Sequence, residues 1–331
     1  MVPKVYIHFK IDERPFGGGL QFLKSFKKYS YSTDKINISE SINSEYDIFL
    51  INGGYKGPGM TLNISEVKNI RRYGYNNIFG LIFGTSFMLV GKVLNIIDKF
   101  GYYKVTNSLL GLLEKRKKII IHRVDGFRGR VNHYKKGQSN EIPKNKYVHD
   151  TIQADAINLS DYIIFQSKEC LESAKMWGYD GKNYSIIHNG VDQNIFYPSN
   201  KHYWKRGDKL KVLACSWSNN VHKGFQEIAD FSELDNIEVN FVGNWCDHIK
   251  KKNVNISPPV KQDELAGIYR KHHIFLFPSK NEPCSNAVIE ALSSGLPIIY
   301  HDSGGTPEIA GKYGVKISRE NLALPLNEIK E

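Results

Sequence analysis

Strand-like and helical segments alternate along nearly the whole chain. Short runs rich in β-branched and aromatic residues are each followed by a stretch with apolar residues at helical spacing. In the first half the predicted strands are Val5 to Phe9, Asp47 to Asn52, Ile78 to Phe83, Ile119 to His122, Tyr162 to Gln166 and Ser185 to His188. A polar, basic segment follows Pro198, and a second series opens with Leu210 to Cys215. It continues through Val239 to Gly243, Val254 to Ser257, Ile274 to Pro278, Leu296 to Tyr300 and Gly314 to Ile317. Strands joined through helices must run parallel, because an antiparallel pair needs only a tight turn between its members. The expectation is an α/β protein of two domains, residues 1–195 and 196–331.

Length agrees with this division, since 331 residues suit two units of roughly 150 each. A hydrophobic content of 41%, including 12% aromatics, is ample for two buried cores. No apolar run reaches the roughly 18 residues of a membrane span, and the opening Met1 to Lys10 lacks a signal-peptide pattern, so a cytoplasmic location is expected. The four cysteines, Cys170, Cys215, Cys246 and Cys284, have neither paired nor metal-ligand spacing. No metal is expected, because an Asp-x-Asp motif and a histidine cluster are both missing. A net charge of +11, spread over Lys115–Lys118, Lys135–Lys136, Lys201–Arg206 and Lys250–Lys252, suits anionic partners such as a phosphorylated substrate or the inner face of a membrane. A solvated lysine-rich surface explains it equally well. Nucleic acid is disfavoured, since aromatics do not interleave the basic clusters as a stacking platform requires.

The most informative stretch chemically is Pro278 to Leu292, which holds Glu282 and Glu290 eight positions apart. It reads as a loop feeding a helix capped by Ser285 or Asn286. The amides of Cys284, Ser285 and Asn286 would then face an anion at the positive end of a helix dipole, beside two carboxylates able to accept from hydroxyls. A ligand with both characters is a nucleoside-diphosphate sugar. Set between the apolar run Ile274–Ser279 and the segments Ser294–Tyr300 and Ser303–Glu308, the Glu-x7-Glu spacing resembles the donor motif of the retaining glycosyltransferases of family 4, glycosyl transferases group 1. The likeness spans Phe16 to Glu308.

That resemblance implies the GT-B fold, two Rossmann-like domains whose parallel sheets face a central cleft, with Ile187–Pro198 as the hinge between them. It implies an enzyme that moves a sugar to a hydroxyl of a glycan or lipid-linked acceptor, needing no cofactor beyond the donor itself. Glu290 would bond the ribose and Glu282 the sugar. Lys223, in the run Ser216–Phe225, would bind the diphosphate; the family's arginine five residues earlier is Ser218 here, so Ser218 and Asn219 would supply donors instead. Glycines Gly18 and Gly19 follow the first strand and would approach the donor diphosphate or the acceptor. His122, in Ile120–Gly129, would contact the transferred sugar. Asp125 would orient the acceptor hydroxyl or, if the enzyme inverts configuration, serve as general base. Val260 would pack against the base, and Gly304 and Gly305 would line the donor pocket. Other readings remain open: a GT-B epimerase or phosphorylase, a sugar-nucleotide sensor without turnover, or a polyanion- or membrane-binding protein.

Overall fold

The computed structural model describes residues 2–12, 18–39, 46–57, 60–73, 118–127, 148–181, 183–199, 204–205 and 207–317. The predicted strand at Ile78–Phe83, the basic residues at 115–117, the lysines at 135–136 and the carboxyl-terminal segment 321–330 lie outside them, as do Phe16 and Gly17. Two six-stranded sheets are present. The first is built from β1 (Lys4–Ile7), β2 (Asn37–Ser39), β3 (Ile48–Asn52), β6 (Ile119–Val124), β7 (Tyr162–Phe165) and β8 (Tyr184–Ile186), in the order β2-β1-β3-β6-β7-β8. A small antiparallel hairpin, β4 (Tyr55–Gly57) with β5 (Met60–Thr61), follows β3. The helices of this half are α1 (Gly18–Tyr31), α2 (Ile64–Tyr73), α3 (Val148–Leu159) and α4 (Lys168–Met176).

The second sheet has the order β11-β10-β9-β12-β13-β14. Its strands are β9 (Leu210–Ser216), β10 (Ile237–Gly243), β11 (Asn255–Ser257), β12 (Ile274–Phe277), β13 (Ile298–Tyr300) and β14 (Gly314–Lys316). Its helices are α5 (Phe225–Phe231), α6 (Gln262–Tyr269), α7 (Asn286–Ser293) and α8 (Thr306–Ala310). Every pairing within both large sheets is parallel. The expected α/β architecture is therefore the one that forms. Two elements were not anticipated: β2 has a single apolar residue, Ile38, and the β4–β5 hairpin is too short to show alternation.

Central strands of a parallel sheet are covered on both faces and read as unbroken apolar runs. β12 (Ile274, Phe275, Leu276, Phe277) is buried at every residue, and the sheet separates two cores. Val212, Ala214 and Leu276 face Phe225 and Phe241 on one side. Leu213, Phe275 and Phe277 face Tyr269, Val288 and Ala291 on the other. Each fully buried side chain of this size contributes about 1.5–3 kcal/mol. Phe196, in the segment between the sheets, packs into this second core with Val191 and Ile195.

In each sheet the chain order reverses beside its first strand. β9 is flanked by β10 on one side and β12 on the other, so crossover connections leave in opposite directions and open a crevice at the carboxyl ends of β9 and β12. Gly243 closes β10 beside that crevice with φ +133, and a Cβ there would lie 1.9 Å from the Ser216 carbonyl oxygen. Gly243→Ala is expected to destabilise the protein by about 2 kcal/mol or more, read as a lower denaturation midpoint with an unchanged slope.

Candidate functional site

A cavity of about 220 Å³ occupies this crevice. Its floor is the end of β9 (Cys215, Ser216, Trp217) and the end of β12 with the loop after it (Phe277, Pro278, Ser279), while Gly18 and Gln21 of α1 reach it from the other sheet's side. Lys223 enters from a 3-10 turn, Val221–Lys223, that ends at Gly224 in the left-handed conformation with φ +80. A Cβ on Gly224 would sit 2.6 Å from Pro278, so this turn packs directly on the loop.

Lys223 Nζ donates to Glu282 Oε1 at 2.6 Å, and the same oxygen accepts from Ser279 Oγ at 3.1 Å. Glu282 thereby holds the lysine over the cavity. Beyond it, Ser285 is the N-cap of α7, and its hydroxyl bonds to none of the helix amides. The first turn of α7 thus presents its N–H groups at the wall formed by Cys284, Ser285 and Asn286, where the helix dipole favours an anion.

Glu290 faces the same space from one turn further on. Desolvation pushes its carboxyl up to about 7, partly opposed by a hydrogen bond from Tyr269. The Tyr269 hydroxyl also lies 3.2 Å from Ala287 O and 3.4 Å from Cys215 Sγ, so α6 braces α7 from behind. Burial likewise raises the Cys215 thiol to about 12, which keeps it neutral.

Of the residues singled out in the sequence, the structure brings Gly18, Lys223, Val260, Glu282, Cys284, Ser285, Asn286 and Glu290 to the cavity. Others are placed elsewhere. Gly19 packs against Asn52, where a Cβ would come within 2.7 Å of the amide nitrogen. The Ser218 hydroxyl accepts from Asn220 N at 3.3 Å and shapes the turn leading to Lys223; neither Ser218 nor Asn219 lines the cavity. Gly304 and Gly305 are also absent from the wall. The Gly305 amide is committed to Glu282 O at 2.8 Å, and a Cβ on Gly304 would meet that same oxygen at 2.3 Å. Both glycines pack closely on the Glu282 loop and shape it.

His122 does not reach the cavity either. It is fully buried, with Nε2 3.1 Å from Gly53 O, and desolvation lowers its pKa to about 3, so the ring is neutral. Asp125 is half-buried against the Gly53 turn, where a Cβ on Gly53 would lie 2.4 Å from its carboxylate. These two residues belong to the carboxyl edge of the first sheet. A contact that sequence reasoning missed is Asn189, within the segment expected to be a hinge. Its Nδ2 donates to Cys284 O at 3.1 Å and to Asn286 Oδ1 at 2.7 Å, and its backbone N–H points to Cys284 Sγ at 3.3 Å. Trp217, 54% exposed at the cavity mouth, was also passed over, although it lies two residues beyond a predicted strand.

The Glu290 shift has a defined sign. A carboxyl whose folded pKa is raised stabilises the fold fully below its unfolded value near 4.5 and loses that contribution as pH rises through about 7. Ligand-free Glu290→Gln is therefore expected to melt higher than the parent at pH 8 and to show a flatter melting temperature between pH 5 and 8. Equal pH profiles for the two proteins would show that Glu290 is not desolvated.

Residues 216–328 match the family described as glycosyl transferases group 1. A probable sucrose-phosphate synthase of Thermosipho melanesiensis is 29% identical over 153 residues, 40% of this chain and 36% of that protein, so the chain matches about a third of this relative's length. Among solved structures, sucrose-phosphate synthase of Thermosynechococcus elongatus superposes over 100% of this chain and 89% of its own, with TM-score 0.57 and 15% identity. Anabaena HepE in complex with UDP-glucose superposes over 99% and 88%, with TM-score 0.55 and 13% identity. The chain has the GT-B fold, and residues 216–328 within it are similar to the glycosyl transferases group 1 family.

Proposed function

We propose that this protein is a glycosyltransferase that moves a sugar from a nucleoside-diphosphate donor to a hydroxyl of a glycan or lipid-linked acceptor. One observation carries the reading: Lys223, the uncapped amino terminus of α7 and the desolvated Glu290 converge on one cavity at the switch point of the second sheet. A lysine and helix amides suit a diphosphate, and a carboxylate suits the vicinal hydroxyls of a ribose. Glu282 keeps Lys223 in place and accepts from a hydroxyl of the sugar.

As the anomeric carbon separates from the diphosphate, negative charge grows on the leaving oxygen. Lys223 and the α7 amides stabilise it without rearranging, which is the larger part of the catalytic effect. These donors supply the positive charge that a divalent ion would otherwise provide, so the reaction is taken to be metal-independent. The leaving phosphate takes the acceptor proton on the face it departs from, giving retention of anomeric configuration. Asp125 orients the acceptor on the first sheet's edge, and His122, held neutral behind Gly53, fixes the shape of that edge. The net charge of +11 favours an anionic surface presenting a lipid-linked acceptor from the cytoplasmic side. Among the described residues no helix is long and apolar enough to cross a membrane.

UDP-glucose, the ligand of Anabaena HepE, heads a panel with GDP- and ADP-sugars in a thermal-shift screen. One donor class is expected to raise the melting temperature. With that donor, Lys223→Ala is expected to lower kcat about 10²–10³-fold. EDTA is expected to leave the rate unchanged, and the product should keep the donor's anomeric configuration by NMR. A donor that binds and is turned over to an epimer, with no sugar transferred, would instead identify an epimerase.

A further inference from the structure

Arg123 is the largest fully buried side chain of the described residues, only 1% exposed, at the end of β6. A buried guanidinium is expensive unless paired, and buried arginines are usually met by carboxylates. Here no carboxylate among the described residues lies within ion-pairing distance. Its hydrogen-bond partners are two neutral amides: Nη1 donates to Asn52 Oδ1 at 2.8 Å and Nη2 to Asn189 Oδ1 at 2.5 Å. The guanidinium also lies over the Phe22 ring of α1, 4.0 Å from its centroid. Desolvation lowers its pKa to about 10, so it remains charged at neutral pH.

This charge sits two hydrogen bonds from the proposed diphosphate site. Asn189 passes from Arg123 on one side to Cys284 O and Asn286 Oδ1 on the other, and both of those residues line the cavity. Lys223 is the one lysine or arginine on the described wall, and Glu282 already offsets its charge. A diphosphate therefore meets a site whose local cation is directly paired, beside a second cation that makes no salt bridge among the described residues, although the Asp125 carboxylate acts on it from a greater distance. In a low-dielectric interior a buried charge acts over several ångströms.

We propose that Arg123 is a positioning residue for the diphosphate, acting across the domain interface: through Asn189 it fixes the amino terminus of α7, and its charge adds to that of Lys223. The inference rests on the cavity being a nucleoside-diphosphate site. It makes the first domain a contributor to leaving-group binding, so that the positive field is complete only while β6, the connecting segment and α7 are joined.

The test compares affinities for UDP, GDP and ADP with those for the matching nucleosides, by calorimetry, in the parent, Arg123→Met, Asn52→Asp and Lys223→Ala. Asn52→Asp is isosteric, keeps the acceptor oxygen on Nη1 and pairs the guanidinium, which offsets its field. Arg123→Met is expected to weaken the preferred diphosphate about tenfold or more while changing the nucleoside less than about twofold. Asn52→Asp should weaken the diphosphate severalfold with no loss of melting temperature. If Asn52→Asp binds diphosphate as the parent does, or if Arg123→Met weakens nucleoside and diphosphate equally, Arg123 is only a structural clasp and the inference fails. Lys223→Ala separates the two levels: it should lose the preference for diphosphate if the cavity is correctly read. A parent and a Lys223→Ala that both bind diphosphate no better than nucleoside overturn the site and this inference together.

Discussion

The loop from Pro278 to Ser285 keeps its shape because two neighbouring turns meet its main-chain polar groups. On one side the Lys280 amide donates to His222 O at 2.9 Å, which ties the loop to the turn carrying Lys223. On the other side Asn281 N donates to Ser303 Oγ at 2.9 Å, and Gly305 N donates to Glu282 O at 2.8 Å. Asn281 itself sits in the left-handed region with φ +58, a conformation that asparagine tolerates better than most residues. Unmet, each of these buried groups would cost about 1–3 kcal/mol, so the loop and both turns form or fail together. Glu282, Lys223 and the start of α7 are all placed by this knot.

Topology decides where the knot lies. Reversal of strand order beside β9 leaves the carboxyl ends of β9 and β12 without a crossing connection, and the loop after β12 fills one wall of the gap. The second half cannot complete the crevice alone, since Gly18 and Gln21 come from α1. Contacts spanning the halves hold that arrangement: Glu308 of α8 accepts from the Lys168 amide at the start of α4 at 2.8 Å and lies 2.8 Å from His188 Nε2. A carboxylate at that point also complements the α4 dipole, next to the Ser167 cap.

Much of this was legible in the sequence, and for a physical reason. Buried parallel strands such as β12 and β13 are continuous apolar runs, and the loop-to-helix chemistry around Glu282 and Glu290 is local in the chain, so both can be read without knowing the fold. The bonds from Asn189 to Cys284 and Asn286 cannot, because 95 and 97 residues separate the partners. A glycine poses a different difficulty. Gly304 and Gly305 look alike in sequence whether they expose amides to a ligand or admit another backbone, and the close backbone approach shows only in the fold, where a Cβ on Gly305 would come within 2.0 Å of Pro283 O. His122 poses a related difficulty: the end of a central strand has one face of the pleat toward the crevice and one away from it, and the sequence alone does not show that His122 is fully buried against Gly53 O.

The electrostatics of the cavity suit ligands that carry both kinds of group. Lys223 and Glu282 neutralise each other, while burial pushes the Glu290 carboxyl up to about 7, so that its ionised form is disfavoured. A bare phosphate entering beside Lys223 competes with Glu282 for that lysine and, as an added negative charge, drives Glu290 further toward its protonated form. Hydroxyl donors at Glu290 act in the opposite sense, because hydrogen bonds to a carboxylate favour its charged state. Inorganic phosphate therefore gains little here and a plain sugar gains little. On the proposed reading, a molecule with a diphosphate at the helix end and hydroxyls at both flanking carboxylates relieves each of these strains at once, so that the pairing of two acidic residues with one lysine would select for it.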